Sequence, residues 1–154
     1  MDFTPTIIAR VSLEHGRIDL VEWHWPDMID FVLAEGELML EMSLPPYATD
    51  ATAEFPDIAP GRHAFVGTLF IRYPGVAVHG RSAGGRIRVL RCVFSAGPAG
   101  AILGGAAVPP LGVLQRLLDL RSKPLRAMMG LALRELTGVA TPSQDALEAI
   151  HSLV

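Results

Sequence analysis

Alternation between apolar and polar residues runs through much of the first 95 positions and predicts a series of β-strands. It is clearest in residues 61–95, which indicate three strands at residues 62–72, 76–78 and 86–95. The turns between them fall at residues 73–75 and 82–85, where proline fixes φ and glycine accepts positive φ. Strands joined by such short turns form an antiparallel sheet, and a sheet this apolar is expected to cover a core.

Four more strands are predicted before that stretch, at residues 6–13, 17–25, 28–33 and 37–44. The last of them places Leu38, Leu40, Met42 and Leu44 on one face, as expected of a half-buried strand. Residues 45–60 contain four prolines and several acidic residues. This composition predicts a long surface loop, with a short edge strand near residues 53–55.

Helical spacing of apolar residues replaces the alternation near the end of the chain. Residues 96–110 are rich in Gly, Ala and Pro, and they predict a connection without regular structure. Leucines recur at helical spacing in residues 111–120. Ser122 is a suitable N-cap for an amphipathic helix over residues 125–136, and a further helix is expected to begin near residues 141–143.

Strands followed by two or three helices predict an α+β fold that is mainly β. Several short strands with regular turn signals favour an antiparallel barrel or jelly roll. The chain has 154 residues, enough for one domain with a sizeable core. We therefore divide it into a β-barrel at residues 1–95, a connection at 96–110 and a helical segment at 111–154 that packs on the barrel.

Charge and composition exclude several classes of protein. The net charge is −3 and no run of Lys or Arg occurs, so nothing in the chain attracts nucleic acid. A single cysteine, Cys92, excludes an internal disulfide framework. The longest weakly polar stretch, residues 95–114, is interrupted by Gly and Pro and predicts no membrane helix. We expect a soluble, cytoplasmic protein that does not associate with membranes.

Two segments carry a family resemblance. One is the β-strand pair GTLFIRYPGV and RVLRCVF, and the other is the helical segment LLDLRSKPLRAMMGLALREL followed by TPSQDALEAIHSLV. Together they resemble the N-terminal sensing domain of AraC-family transcriptional regulators. The resemblance covers residues 27–154 and consists of patterned apolar segments, with no catalytic motif.

The resemblance implies a cupin-like barrel that binds a small-molecule effector, followed by helices that form a homodimer. In that family DNA is bound by a C-terminal double helix-turn-helix domain, and no recognition helix is present in these 154 residues. We therefore expect this chain to be the effector-binding and dimerisation part of a regulator. DNA would be contacted only by a C-terminal domain that is absent here.

Candidate ligand-binding residues come from the strands. Trp23 and Trp25 share one strand face and, with nearby phenylalanines, are predicted either to line an apolar pocket or to fill the core. The complete set of candidates, with the polar groups that such a pocket needs, is Trp23, His24, Trp25, Glu41, His63, Phe65 and Arg88.

The candidate dimer interface is the apolar stripe of the helix at residues 125–136. Its members recur at intervals of three and four, and they are Leu125, Met128, Met129, Ala132, Leu133 and Leu136. Such a stripe packs either on its own domain or, across a two-fold axis, on the same stripe of a second copy.

Enzyme chemistry has weak support in the sequence. Metal-binding cupins need a His-x-His pair, and none of the five histidines forms one, although His63 and His79 leave a small metal-dependent cupin enzyme as the alternative. No G-x-S-x-G motif is present, and Cys92 lies in an apolar strand where a buried, unreactive thiol is expected. We predict a non-enzymatic protein without a metal or another cofactor.

Overall fold

A computed structural model describes residues 4–104, 107–138 and 140–154. Nine strands and four helices follow one another in the described residues. The strands are β1 (Thr6–Leu13), β2 (Gly16–Trp25), β3 (Ile29–Ala34), β4 (Leu38–Leu44), β5 (Thr52–Glu54), β6 (Ala64–Phe65), β7 (Leu69–Arg72), β8 (Ala77–Ser82) and β9 (Gly85–Phe94). The helices are α1 (Ala96–Leu103), α2 (Leu111–Leu117), α3 (Lys123–Thr137) and α4 (Gln144–Leu153).

The strands form two antiparallel sheets. Sheet A has the order β1-β2-β9-β4-β7, and sheet B has the order β3-β8-β5-β6. The predicted α+β, mainly β class is confirmed. Within the described residues the two sheets stay separate, and their strands do not close into a barrel.

Five of the predicted strands, β1 to β4 and β9, are confirmed to within one residue at each end. The strand predicted at residues 62–72 is instead divided into β6 and β7. The chain passes from sheet B to sheet A here: the amide of Val66 donates to the carbonyl of Ala51, while the carbonyl of Thr68 accepts from the amide of Ser43. Apolar and polar residues keep alternating where the chain passes from one sheet to the other, so the sequence pattern does not indicate the change of sheet.

Two further expectations differ from the structure. The short strand β5 is not an edge strand, since it lies between β8 and β6. Residues 96–110, expected to be irregular, contain the helix α1. Pro98 is tolerated there because it falls in the first turn, where its missing N–H would have no partner within the helix. Gly104 ends α1 in the left-handed conformation, with φ of 66°.

Helices α3 and α4 begin as the sequence indicates. The hydroxyl of Ser122 accepts from the amide of Leu125, and that of Ser143 accepts from the amide of Ala146. Gly138 follows the last turn of α3. Across the described ranges, no helix has both the length and the apolar character needed to cross a membrane.

Sheet A separates two different interiors. Its apolar face, which includes Ile18, Leu40 and Leu90, packs against α1, α3 and α4 to form the main hydrophobic core. The buried helix residues of this core are Ala99, Met129, Ala132, Leu136 and Leu147. A smaller core joins α2 to β5 and the residues that follow β7. The other face of sheet A carries the aromatic and charged residues described below.

The turn between β8 and β9 passes very close to the connection between β2 and β3. A Cβ atom on Gly84 would lie 2.0 Å from the carbonyl oxygen of Asp27 and 2.8 Å from that of Trp25. Both neighbours are backbone atoms, so they cannot rotate away. Glycine is therefore required at this position by the close approach.

We predict that Gly84→Ala lowers the free energy of unfolding by about 1–3 kcal/mol, because the two connections must separate. Gly36→Ala is the matched control, since no atom lies within 4 Å of its added Cβ. Urea unfolding of the two variants measures the difference. Equal stability of both variants would show that the close approach is not a constraint.

Candidate functional site

A cavity of about 140 Å³ lies between the two sheets. Three stacked aromatic rings form one wall: the centroids of Trp23 and Trp25 are 5.9 Å apart, and those of Trp25 and Phe31 are 5.1 Å apart. Phe70 and Val89 from sheet A and Gly80 from sheet B complete much of the lining. A cavity of this size in a mostly apolar setting can receive a ring-sized organic molecule.

A row of charged residues crosses the face of sheet A that lines the cavity. Strand register places Arg10 beside Asp19, Asp19 beside Arg91, and Arg91 beside Glu41. The charges therefore alternate in sign from strand to strand, which is the favourable cross-strand arrangement. We call this set, with the flanking Arg17, Glu37 and Arg72, the charge row.

Glu41 is the central residue at the end of the charge row next to the cavity. Its side chain is 1% exposed. One carboxylate oxygen accepts from Nε of Arg72 at 2.6 Å, and the other accepts from Nε of Arg91 at 2.5 Å. Arg91 also lies over the ring of Trp23, with its guanidinium carbon 5.6 Å from the ring centroid. Glu41 and Arg72 both line the cavity.

Burial and pairing act on Glu41 in opposite directions. Burial by itself would raise the pKa of the Glu41 carboxyl, but the charges and hydrogen bonds of Arg72 and Arg91 outweigh it and hold the pKa below its usual range. Glu41 is therefore ionised at neutral pH. Among the described residues, no buried side-chain nitrogen or oxygen lacks a hydrogen-bond partner.

The other part of the charge row is centred on Asp19, whose side chain is also 1% exposed. Arg10 donates to both of its oxygens, at 2.6 and 2.9 Å, and Arg17 donates to one of them at 3.0 Å. Arg17 also donates to Glu37 at 2.8 Å. Burial opposes ionisation of Asp19, yet the two arginines lower its pKa.

A second polar cluster joins three strands of sheet B, away from the cavity lining. Nδ1 of His79 lies 2.9 Å from Glu54, and its Nε2 lies 2.5 Å from Asp30. Both partners are carboxylates, which accept hydrogen bonds, so the arrangement favours the doubly protonated ring of His79. The hydrogen bond to Asp30, followed by that to Glu54, raises the pKa of His79.

The structure brings three of the seven predicted ligand-binding residues together at the cavity, namely Trp23, Trp25 and Glu41. His24 and Arg88 lie on the opposite face of sheet A, because they alternate with the tryptophans and with Val89. Arg88 is paired there with Glu22 at 2.7 Å.

The remaining two candidates lie on or beside sheet B and outside the cavity lining. Phe65 is 51% exposed. His63 is 3.9 Å from Glu54, at the margin of the His79 cluster. Whether any of the seven residues binds a ligand stays a prediction.

Sequence reasoning did not include Arg72, Phe70 or Arg91 among the site residues. A signal for the arginines was present: Arg72, like Glu41, is a single charge within an otherwise apolar strand, and Arg91 is flanked by apolar residues in β9. A charge in such a strand is stable only when it is paired. Which charge pairs with which depends on strand order, and the sequence pattern does not contain that information.

The predicted dimer stripe of α3 packs within the chain. Met129, Ala132 and Leu136 are buried against sheet A, and Leu125 and Leu133 pack at the edge of the same core. Met128 is half-buried. The stripe therefore has an intramolecular function, and the two-fold interface stays a prediction.

Reactive or metal-binding groups are not evident in the described parts of the chain. Within residues 4–104, 107–138 and 140–154, no three His, Cys, Asp or Glu side chains are grouped so that they could hold a metal ion. Cys92 is buried in the main core, and burial raises the pKa of its thiol to about 12. Such a thiol is not a nucleophile at neutral pH.

We predict that Glu41→Gln lowers the free energy of unfolding by about 3–5 kcal/mol, because it leaves Arg72 and Arg91 without a counter-charge in the interior. Glu22→Gln is the control on the same sheet. Its arginine partners are largely exposed, so its loss should cost no more than about 1 kcal/mol. Chemical denaturation at pH 7 compares the two, and equal effects would contradict a special contribution from Glu41.

The His79 cluster predicts a stability that falls at alkaline pH. Because folding raises the pKa of His79, its contribution is complete below the ordinary value of 6.5 and is lost as the pH rises through the higher folded value. Urea midpoints at pH 5.5 and 8.5 should differ less for His79→Gln than for the unchanged protein. His15→Gln, at an exposed histidine, should keep the full difference. An unchanged difference in His79→Gln would contradict the assignment.

Comparisons with known proteins add no family to these observations. No protein-family model, curated protein or solved structure matches the chain.

Proposed function

We propose that the protein is a non-enzymatic sensor that binds a small organic effector in the cavity between its two sheets. The observation that carries the proposal is the cavity itself, which combines a wall of three aromatic rings with the buried Glu41 and Arg72. Binding sites for small molecules are concave and mostly apolar, with a few polar groups that orient the ligand. The regulatory context, an AraC-type transcriptional regulator, rests on the sequence resemblance.

The order of the strands supports a cupin-like jelly roll as the finer description of the fold. Without β1, sheet A has four strands in the order β2-β9-β4-β7, opposite the four strands of sheet B. Two facing four-stranded antiparallel sheets are typical of jelly rolls, and their interior is a common place for a ligand.

The two faces of sheet A provide a route from ligand to helices. Val89 of β9 lines the cavity, whereas Leu90 and Cys92 of the same strand belong to the core shared with the helices. At the end of β9, Nε2 of His151 in α4 donates to the carbonyl of Val93 at 2.8 Å. An effector would act by binding one arrangement of sheet and helices more tightly than another. Attached DNA-binding domains would then respond to that shift.

The alternative is a small metal-dependent cupin enzyme. The described residues contain no group of side chains that favours it. His63 and His79 lie near each other, but both nitrogens of His79 are engaged by carboxylates.

We predict that ring-sized compounds change the tryptophan fluorescence of the protein. The chain contains only two tryptophans, and both line the cavity, so the signal reports on that site alone. Phenol, benzoate, benzamide and benzylamine are suitable probes, since a cavity of about 150 Å³ accommodates a benzene ring. Saturable binding of at least one probe is expected.

Two substitutions at Gly80 test the location. A Cβ atom there has its nearest neighbour, an atom of Phe31, at 3.8 Å, so Gly80→Ala should bind as the unchanged protein does. Gly80→Leu extends into the cavity and should abolish saturable binding while thermal unfolding stays cooperative. Absence of binding by every probe, or unchanged binding in Gly80→Leu, would refute the proposed function.

A further inference from the structure

We propose, building on the function proposed above, that the cavity selects a small monocarboxylate with an apolar or aromatic body, whose carboxylate accepts hydrogen bonds from Arg72. The ligand class is thus an organic anion, in contrast to a neutral or cationic compound of the same size. Four observations support this assignment, and they concern charge, donor capacity, neighbouring charges and shape.

The charge row has more positive than negative members. Its arginines are Arg10, Arg17, Arg72 and Arg91, and its carboxylates are Asp19, Glu37 and Glu41. The excess of positive charge is at the end of the charge row next to the cavity. There, Arg72 and Arg91 share the single carboxylate of Glu41. Two guanidinium groups that share one carboxylate next to a mostly apolar cavity favour a ligand with one negative charge.

Arg72 retains hydrogen-bond donors after pairing with Glu41. A guanidinium has five N–H groups, and the contact with Glu41 uses the one on Nε. No buried side-chain nitrogen of the described residues lacks a partner, so the terminal nitrogens of Arg72 lie at accessible surface. Arg72 is also more exposed than Arg91, at 18% against 9%, and of these two arginines it is the one in the cavity lining. Its planar donors match the two oxygens of a carboxylate.

Other charged residues lie near the cavity end of the charge row. Arg81 is the one further charged residue of the lining, and it is positive. Its partner Asp30 lies 3.5 Å away and makes a shorter contact, of 2.5 Å, with His79. Burial would lower the pKa of Arg72, but the charge and hydrogen bond of Glu41, followed by the charge of Glu35, raise it.

The remaining lining sets the shape of the ligand. The stacked rings of Trp23, Trp25 and Phe31 offer flat apolar surfaces, and the volume of about 140 Å³ limits the body to roughly one ring. An aromatic or short branched aliphatic monocarboxylate satisfies both the apolar wall and Arg72.

Benzoate, benzamide and benzylamine test the assignment, because they share a ring and differ in the charge of one small substituent. We expect benzoate to bind the unchanged protein at least about tenfold more tightly than either of the others, as for a hydrogen bond that involves two charged groups. Tryptophan fluorescence measures the three dissociation constants, and calorimetry provides a second readout.

Arg72→Gln tests the residue assigned. It leaves Glu41 paired with Arg91 alone, so the preference for benzoate over benzamide should fall to about twofold or less while benzamide binding is retained. Arg86→Gln is the matched control, because Arg86 is 64% exposed on the opposite face of sheet A. It should keep the full preference.

The outcomes separate this inference from the proposed function. If benzamide or benzylamine binds as tightly as benzoate, and Gly80→Leu abolishes that binding, the anion preference is overturned while the sensor proposal stands. If no probe binds, both fail. A benzoate preference that persists in Arg72→Gln overturns the assignment to Arg72. Should Arg72→Gln not fold, the comparison of the three probes on the unchanged protein still decides the preference for an anion.

Discussion

Glu41 lies in the interior with almost no contact with solvent, and its charge is stable there only because Arg72 and Arg91 are fixed on either side of it. The three residues come from β4, β7 and β9, so the ion pairs form only when these strands are neighbours in the right register. The same requirement applies to Asp19 on β2, because its partner Arg10 lies on the neighbouring strand β1. Pairing of buried charge therefore specifies the strand order of sheet A more strictly than apolar burial alone would.

Sheet A has two faces with different chemistry. One face is entirely apolar where it meets the helices, and the other combines arginine–carboxylate pairs with the aromatic wall of the cavity. Successive residues of a strand point to opposite faces, so a single strand such as β9 contributes to both. A change on the cavity side is then one residue away from the helical core, without any intervening segment.

Local pattern was enough to predict the α+β class, most strand bounds, the Ser122 cap of α3 and the region where α4 begins, because alternation, turn residues and capping residues act over a few residues. It did not predict that residues 62–72 change sheets, since both sheets demand the same alternation. Trp23 and Trp25 were included because the two tryptophans share one strand face, and Glu41 was included as a polar group for the pocket. His24 and Arg88 were included because the sequence does not say which strand face is interior. Arg72 was missed because its partner lies 31 positions away, on a strand that only the fold makes adjacent.

Helix α4 lies on the first two strands of the chain. The side chain of Gln144 donates to the carbonyl of Ser12, and the amide of Glu14 donates to Glu148, across sequence separations of 132 and 134 residues. Sheet A therefore cannot complete the cover of its apolar face until α4 is present. Contacts of such long range slow folding, and the uncovered face is available to chaperones or to other nascent chains in the interval. The architecture that places the cavity and the helices on opposite sides of one sheet thus makes completion of the fold depend on contacts between its earliest strands and its last described helix.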